Sequence, residues 1–169
     1  MKNTFLGILI LALTTFASQS FAFDIDNSRD IYLIRHAEKQ SDGTKNPSLT
    51  KEGVKRAENI AQMLIDKNIS AIYSSNYKRT KETAIPLAIK LNIEVAIYDP
   101  RKLKEFSKEL LKTQGNILVV GHSNTTPNLA IFLGGDSYGK IDESEYNRVY
   151  HLKINSQGVQ SQLLSSNNN

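Results

Sequence analysis

Residues 117–120 read Ile-Leu-Val-Val, the most apolar of the strand-like segments in the chain. A continuous apolar run of this length indicates a strand that is buried on both faces, as in the centre of a parallel sheet. Strand-like and helix-like segments alternate around it. The other predicted strands are 30–35, 70–74 and 95–98, followed by a closing hairpin of 149–154 and 159–164. This alternation predicts an α/β fold, a three-layer α/β/α sandwich with a mainly parallel central sheet.

Four helices are predicted between these strands. Thr50 fits the capping position of the first helix, whose apolar residues between 54 and 65 recur every three or four positions. The second helix is expected over 77–91, where Pro86 predicts a kink or an early break. The remaining two helices are predicted at 103–111 and 127–133.

The composition is that of one ordinary globular domain of 169 residues. Lys and Arg total 21 against 17 Asp and Glu, a net charge of +4, and no block of like charges predicts a nucleic-acid-binding arm. This modest excess of positive charge suits a small acidic substrate. The chain has no cysteine, which excludes disulfides, thiol nucleophiles and cysteine-ligated metals.

The first 22 residues have the pattern of a secretory signal peptide. Lys2 precedes an uncharged stretch at 5–16, and small residues lead to a cleavage site after Ala22. The apolar stretch is shorter than the roughly 20 residues that span a bilayer, so we expect no membrane insertion after cleavage. The expected location is the periplasm or the medium. The predicted organisation is a cleaved signal peptide at 1–22, a single domain at 23–164 and a disordered tail at 165–169.

Polar residues that follow the predicted strands define a candidate site. Ligands of such sheets bind beyond the carboxyl ends of the strands. The residues expected there are Arg35 and His36, the segment 74–79, Asp99, and the segment 121–124. Two guanidinium groups beside two imidazoles form a binding site for an oxyanion, because the planar arginine fork matches phosphate oxygens. The same cations and the absence of metal-binding histidine spacing argue against a metal.

His36 is the candidate nucleophile of this site. A histidine has an ordinary pKa of about 6.5 and loses its proton more readily beside positive charge. A neutral imidazole has a lone pair that can attack a phosphomonoester and form a phosphohistidine, which water then hydrolyses. This two-step chemistry requires no metal and no cofactor.

Four ordered motifs carry a family resemblance. Residues 35–39, Arg-His-Ala-Glu-Lys, resemble the Arg-His-Gly motif of the histidine phosphatase superfamily, which has the phosphoglycerate mutase-like fold, with Ala in place of Gly. The supporting segments, in family order, are Leu49-Thr50 with Gly53 and Arg56-Ala57, then 74–80 with Thr83-Ala84, and finally 121–124.

The resemblance implies a role for each matching residue. His36 would accept the phosphoryl group, Arg35 and Arg79 would bind its oxygens, and His122 would stabilise it from the other side. Some relatives also use a carboxylate after the third strand as the proton donor, and others have none. The candidates for that donor are Glu105 and its rival Asp99, and two further candidates for phosphate binding, which also fit a turn and helix cap, are Ser123 and Asn124.

The predicted function is therefore a metal-independent phosphomonoester hydrolase that acts on a small exported or envelope phosphoester. Two alternatives stay open. The first is a non-catalytic anion-binding module with the same pocket. The second is a serine esterase using Ser123, because Gly121-His122-Ser123 resembles the start of a nucleophile elbow. Thr125 stands where that elbow requires Gly, and His151 would be the only downstream base.

Overall fold

The computed structural model describes residues 28–167, so the predicted signal peptide at 1–22 lies outside the described residues. The elements in chain order are β1 (Arg29–Arg35), α1 (Lys51–Leu64), β2 (Ile69–Ser75), α2 (Lys78–Leu91), β3 (Val95–Tyr98), α3 (Leu103–Lys112), β4 (Asn116–Gly121), α4 (Thr125–Phe132), β5 (Arg148–Asn155) and β6 (Gly158–Ser165). Strands and helices thus alternate as predicted. No helix within residues 28–167 combines the length and the apolar character needed to cross a membrane.

The six strands form one mixed sheet in the order β3-β2-β4-β1-β5-β6. The first four strands of this order are parallel, and the last two form the antiparallel hairpin that closes the chain. The apolar run 117–120 lies in β4 between β2 and β1, as a strand buried on both faces should.

Each face of the sheet carries its own apolar core. One core packs α1 and α2 against the sheet through residues such as Leu64 and Leu87. The other packs α3 and α4 through residues such as Phe106 and Leu129. The predicted three-layer sandwich is therefore confirmed. Because both faces are covered, the exposed carboxyl edge of the parallel strands is where side chains can form a pocket.

Local signals explain most of the helix boundaries. Thr50 caps α1, with its hydroxyl accepting a hydrogen bond from the Gly53 N–H at 3.1 Å. Pro86 does not end α2, which continues to Leu91 and terminates at Asn92 in a left-handed conformation (φ 53°). Of the two expected effects, a kink or an early break, the early break is wrong, because apolar residues on both sides of Pro86 pack on the sheet and outweigh the lost hydrogen bond.

Residues 165–167, part of the tail predicted at 165–169, have defined contacts in the structure. Strand β6 continues to Ser165, which pairs with Arg148. Ser166 is buried, and its N–H donates to the Asn147 carbonyl at 2.8 Å. Asn167 accepts a hydrogen bond from Arg56 at 3.1 Å. The polar composition of this segment gave no sign that it includes the end of a strand, which is held by pairing with β5. Residues 168–169 lie outside the described range.

Candidate active site

The predicted cluster forms at the carboxyl ends of β1 and β4. Arg35 pairs with Gly121 in the parallel register, and the His36 N–H donates to the Gly121 carbonyl at 3.0 Å. The rings of His36 and His122 therefore lie edge to face with centroids 5.6 Å apart. They line a cavity of about 370 Å³, together with Arg35, Lys39, Tyr77, Arg79, Pro100, Arg101, Ser123, Asn124, Thr125 and Glu143.

His36 is held as a neutral imidazole with one free lone pair. Its Nδ1 lies 2.8 Å from the Ala37 carbonyl oxygen, and since a carbonyl only accepts, Nδ1 is the protonated nitrogen and Nε2 has the lone pair. Burial lowers the pKa of His36 to about 3, and Arg79 and Arg35 lower it further, against the opposing hydrogen bond to Ala37. The sequence-based argument named the cations as the cause, whereas burial is the larger one.

The residue after His36 packs its methyl group into the protein interior. Ala37 is fully buried in a small apolar cluster with Leu49 and Ala57. Its N–H donates to the Thr83 hydroxyl at 3.0 Å, and that hydroxyl donates to the Arg79 carbonyl at 2.7 Å. The loop that follows β1 is thereby anchored to α2, next to the residue that places a guanidinium in the cavity.

Arg79 has a positive charge without a counter-ion. No acidic side chain within residues 28–167 forms an ion pair with it, and its buried Nε has no hydrogen-bond partner. The guanidinium carbon lies 4.5 Å from the centre of the Tyr77 ring. Burial lowers the pKa of Arg79, with Tyr77 opposing this and Arg35 adding to it. A buried polar atom without a partner is costly, so this arrangement is poised for an anionic ligand.

Arg35 is almost fully buried and already has several partners. Its Nη1 donates to three backbone carbonyls, of Asp142 at 2.8 Å, Glu143 at 3.1 Å and Glu145 at 2.9 Å. Its Nη2 donates to the Glu143 carboxylate at 2.8 Å, whereas its buried Nε has no partner. One edge of the guanidinium thus holds the loop before β5. The other edge, Nε and Nη2, is the one that a phosphate could occupy.

His122 is oriented from β2 and α2. Its Nε2 lies 2.9 Å from the Ser75 hydroxyl, which donates to the Thr80 hydroxyl at 3.1 Å, and Thr80 donates to the Ser75 carbonyl at 2.7 Å. Because each hydroxyl has one proton, this chain makes His122 Nε2 a donor. Burial lowers the pKa of His122 to about 4, and Arg79 and then Arg35 add to the effect. His122 is therefore also neutral at neutral pH.

Ser123 and Asn124 line the cavity, but neither caps α4 through its side chain. Asn124 occupies the cap position without a side-chain hydrogen bond, and the Thr125 hydroxyl instead accepts from the His122 N–H at 2.9 Å. The Ser123 hydroxyl donates to the Glu143 carboxylate at 2.8 Å. His151, the base that an esterase would need, is bonded to Asp30 at 2.7 Å. The structure thus pairs Ser123 with a carboxylate rather than with a histidine.

The structure does not bring either predicted proton donor into the cavity. Glu105 lies exposed in the first turn of α3, because this helix buries its opposite side, with residues Leu103, Phe106, Ser107 and Leu110. Asp99 forms an ion pair with Arg101 at 2.8 Å, and the hydrogen bonds from Arg101 lower the pKa of Asp99 to about 2. Asp99 lines a neighbouring groove, where it is an ionised carboxylate with no proton to donate.

Three residues at or beside the cavity had no role assigned to them from the sequence. Tyr77 stacks beside Arg79 and meets the His122 ring edge to face, with centroids 5.0 Å apart. Tyr146 lies 4.2 Å from the guanidinium carbon of Arg35, and Glu143 binds the same arginine. Tyr77 lies in the segment 74–79, which the sequence already placed at the site. The other two come from the loop before β5, where no periodic pattern identifies them.

A metal was not predicted for this site. Residues 28–167 contain no group of three or more histidine or acidic side chains placed to hold a metal ion. Metal independence stays a prediction for experiment.

Comparisons with known proteins agree with this geometry. Residues 31–108 match the sequence model of the histidine phosphatase superfamily (branch 1). The fold is that of this superfamily. This match agrees with the resemblance that the motifs indicated; it spans less than half of the chain and includes Arg35, His36 and Arg79 but ends before His122.

One curated relative and two solved structures show the extent of the similarity. Phosphoserine phosphatase 1 of Hydrogenobacter thermophilus is 38% identical over 71 residues, which cover 38% of this chain but only 34% of that protein. The α-ribazole phosphatase of Shigella flexneri superposes with a TM-score of 0.66 at 16% identity, covering 80% of this chain and 96% of the other. A phosphoserine phosphatase mutant from Entamoeba histolytica, bound to phosphoserine, superposes with a TM-score of 0.61 at 16% identity. This superposition covers 82% of this chain and 98% of the other. At these identities the two structures establish the fold alone.

Proposed function

We propose that this protein is a metal-independent phosphomonoester hydrolase that forms a phosphohistidine on His36. The observation that supports it best is a neutral imidazole with a free Nε2, in one cavity with an arginine that has no counter-ion. A nucleophile and an unneutralised cation together suit an electrophilic centre surrounded by negative oxygens. The similarity to phosphatases supports the same class of reaction.

The first step would transfer the phosphoryl group to His36. Arg79 and the Nε/Nη2 edge of Arg35, once Glu143 is displaced from Nη2, would bind the phosphoryl oxygens and neutralise the charge that spreads over them. The His36 Nε2 lone pair forms the N–P bond as the bond to the leaving oxygen breaks, and that oxygen takes up a proton. The Ala37 carbonyl stabilises the ring as it becomes positive, because Nδ1 continues to donate to it.

The second step would return His36 to its starting state. Water attacks phosphorus, the N–P bond breaks, and the bonding pair returns to Nε2 while inorganic phosphate leaves. His122 lies on the other side of the cavity, with its orientation fixed by Ser75 and Thr80. A bound phosphoryl group favours the protonated form of His122, which could then donate a further hydrogen bond to the group.

The substrate would be a small phosphoester outside the cytoplasm. This part of the proposal rests on the signal-peptide pattern of residues 1–22. Grooves adjoin the phosphate cavity on two sides, one beside Tyr77 and Ile97 and one beside Pro127 and Ile131. They leave space for the alcohol part of a phosphoester.

The test is to trap the phosphoenzyme and compare histidine variants. Rapid acid-free quenching of the wild-type protein with a labelled aryl phosphate should yield an acid-labile, alkali-stable phosphoprotein. His36→Ala should lose that label and at least about 100-fold in kcat, because a missing nucleophile is a loss of transition-state stabilisation. His151→Gln is the matched control, since His151 pairs with Asp30 outside the cavity.

Two results would contradict the proposal. Unchanged hydrolysis by His36→Ala would exclude His36 as the nucleophile. Binding of phosphate by the wild-type protein without release from any ester in a broad panel would instead favour the non-catalytic anion-binding module.

A further inference from the structure

Glu143 occupies a distinctive position at the mouth of the cavity. Among the described residues it is the only carboxylate that lines the cavity. One of its oxygens lies 2.8 Å from Arg35 Nη2 and the other 2.8 Å from the Ser123 hydroxyl. Although it is bonded at both oxygens, its side chain is 78% exposed. It also lines the adjoining groove beside Pro127 and Ile131, so it lies at the boundary between the two spaces.

The backbone that carries Glu143 is held much more firmly than its side chain. Arg35 Nη1 donates to three carbonyls of the 142–145 segment. The Asp142 carboxylate accepts from the Ser144 N–H at 2.9 Å, and the Glu145 N–H donates to the Asp142 carbonyl at 3.0 Å. The carboxyl group of Glu143 can therefore rotate while its Cα stays fixed relative to His36.

A bound phosphoryl group would take over the two partners of this carboxylate. The Arg35 edge of Nε and Nη2 is the one that can bind two phosphate oxygens, and Glu143 now occupies half of it. Once it is displaced, the Glu143 carboxylate lies beside a dianion and has lost its cationic partner. The proton on the carboxyl group comes from the phosphoester, which binds as a monoanion and becomes the dianion on transferring it.

The direction of attack places the leaving oxygen near this carboxyl group. In-line displacement requires the leaving oxygen to lie opposite the attacking nitrogen. His36 is only 3% exposed whereas the Glu143 side chain is 78% exposed, so attack from the buried imidazole would direct the leaving oxygen toward the solvent side of the cavity. Glu143 lines that side, next to the groove that could receive the alcohol.

We infer that Glu143 is the catalytic proton donor to the leaving oxygen, supplied by the loop before β5 rather than by the segment after the third strand. The inference rests on the proposed function. In the first step the N–P bond forms, the P–O bond breaks, and the carboxyl proton of Glu143 passes to the leaving oxygen to give the alcohol. In the second step the carboxylate takes a proton from the attacking water as the N–P bond breaks, and phosphate is released.

The experiment compares Glu143→Gln with the wild type on leaving groups of different basicity. An alkyl phosphate such as glycerol phosphate requires a proton on its leaving oxygen, so kcat/KM should fall by about 100-fold or more. With p-nitrophenyl phosphate, whose leaving group departs as a stable anion, the loss should stay below about fivefold. Across a series of aryl phosphates the rate of the variant should depend more steeply on leaving-group pKa. Glu109→Gln, an exposed position on α3, is the matched control.

Other outcomes would overturn the inference. Equal losses of kcat/KM on both substrates would indicate a structural role for Glu143. Equal gains of kcat/KM, together with tighter phosphate binding, would indicate that Glu143 only competes with phosphate for Arg35. If Glu105→Gln, rather than Glu143→Gln, loses activity on the alkyl phosphate but not on p-nitrophenyl phosphate, Glu105 on α3 is the proton donor. A wild-type protein that forms no phosphoenzyme contradicts the proposed function itself. A phosphoenzyme with no leaving-group effect in Glu143→Gln contradicts this inference alone.

Discussion

The buried imidazole of His36 should make the stability of the protein fall at mildly acidic pH. The pKa of His36 is lowered from 6.5 to about 3, chiefly by burial, so the folded protein binds no proton there at pH 5. In the unfolded chain the same side chain regains its ordinary pKa and does bind a proton at pH 5. Acid therefore stabilises the unfolded state, and the free energy of unfolding decreases as the pH falls below about 6.5.

The size of this effect follows from the two pKa values. Each pH unit between them changes the free energy of unfolding by about 1.4 kcal/mol. From pH 7 to pH 5 the contribution of His36 is thus a loss of about 2 kcal/mol. The pKa of His122, lowered to about 4, acts in the same direction, so the wild-type protein should lose more than this in total.

Urea unfolding of the wild type and of His36→Gln at pH 7 and pH 5 isolates the contribution of His36. Glutamine is of similar size and does not titrate. Carboxylates and His122 titrate in both proteins, so their contributions largely cancel in the comparison. The wild type should lose about 2 kcal/mol more than the variant between the two pH values.

Equal losses in the two proteins would refute this reasoning. They would mean that His36 is protonated in the folded state at pH 5, and hence that its lone pair is not free. The proposed attack by Nε2 would then lack its starting condition. A second check is the ring NMR resonances of His36, which should not shift between pH 7 and pH 5.

Three further predictions concern binding, packing and metals. Arg79→Gln should lower kcat/KM by about 10- to 150-fold, which corresponds to one charged hydrogen bond of about 1.5–3 kcal/mol. The melting temperature of this variant, measured by calorimetry, should be unchanged or higher. A clear fall in melting temperature would show that the Arg79 guanidinium already has stabilising partners within the folded protein. Gly53→Ala should lower the free energy of unfolding in urea by about 1 kcal/mol or more, because the new Cβ would lie 2.2 Å from the Glu38 carbonyl oxygen; unchanged or increased stability would contradict this contact. Dialysis against EDTA should leave phosphate release unchanged, whereas a loss restored by a divalent cation would contradict the metal-free reaction.

The sheet and half of the site were predictable from local patterns. Apolar runs located the strands to within about one residue, since burial of a strand is recorded in its own sequence. The parallel register then places Arg35 beside Gly121, which brings His36 and His122 together without further information. Arg79 follows because it lies in the first turn of the helix after β2.

The rest depended on contacts between distant segments. Glu143 and Arg35 are 108 positions apart, and the loop that carries Glu143 has no periodic pattern to fix its path. Glu105 was chosen for its place in the chain, although Leu103 and Phe106 already define the buried side of α3 and leave Glu105 exposed. Asp99 was the rival candidate for the proton donor, but its ion pair with Arg101, two residues away, stabilises the ionised form of its carboxylate.

The guanidinium of Arg79, stacked on Tyr77 without a carboxylate partner, also has a consequence for inhibition by the product. Inorganic phosphate offers this cation the same oxygens as the ester does, so a released product molecule remains a competent ligand for the emptied cavity. Turnover in a phosphatase of this design slows as its own product accumulates. Hydrolysis would then be fastest where free phosphate is scarce, with no separate regulatory site required.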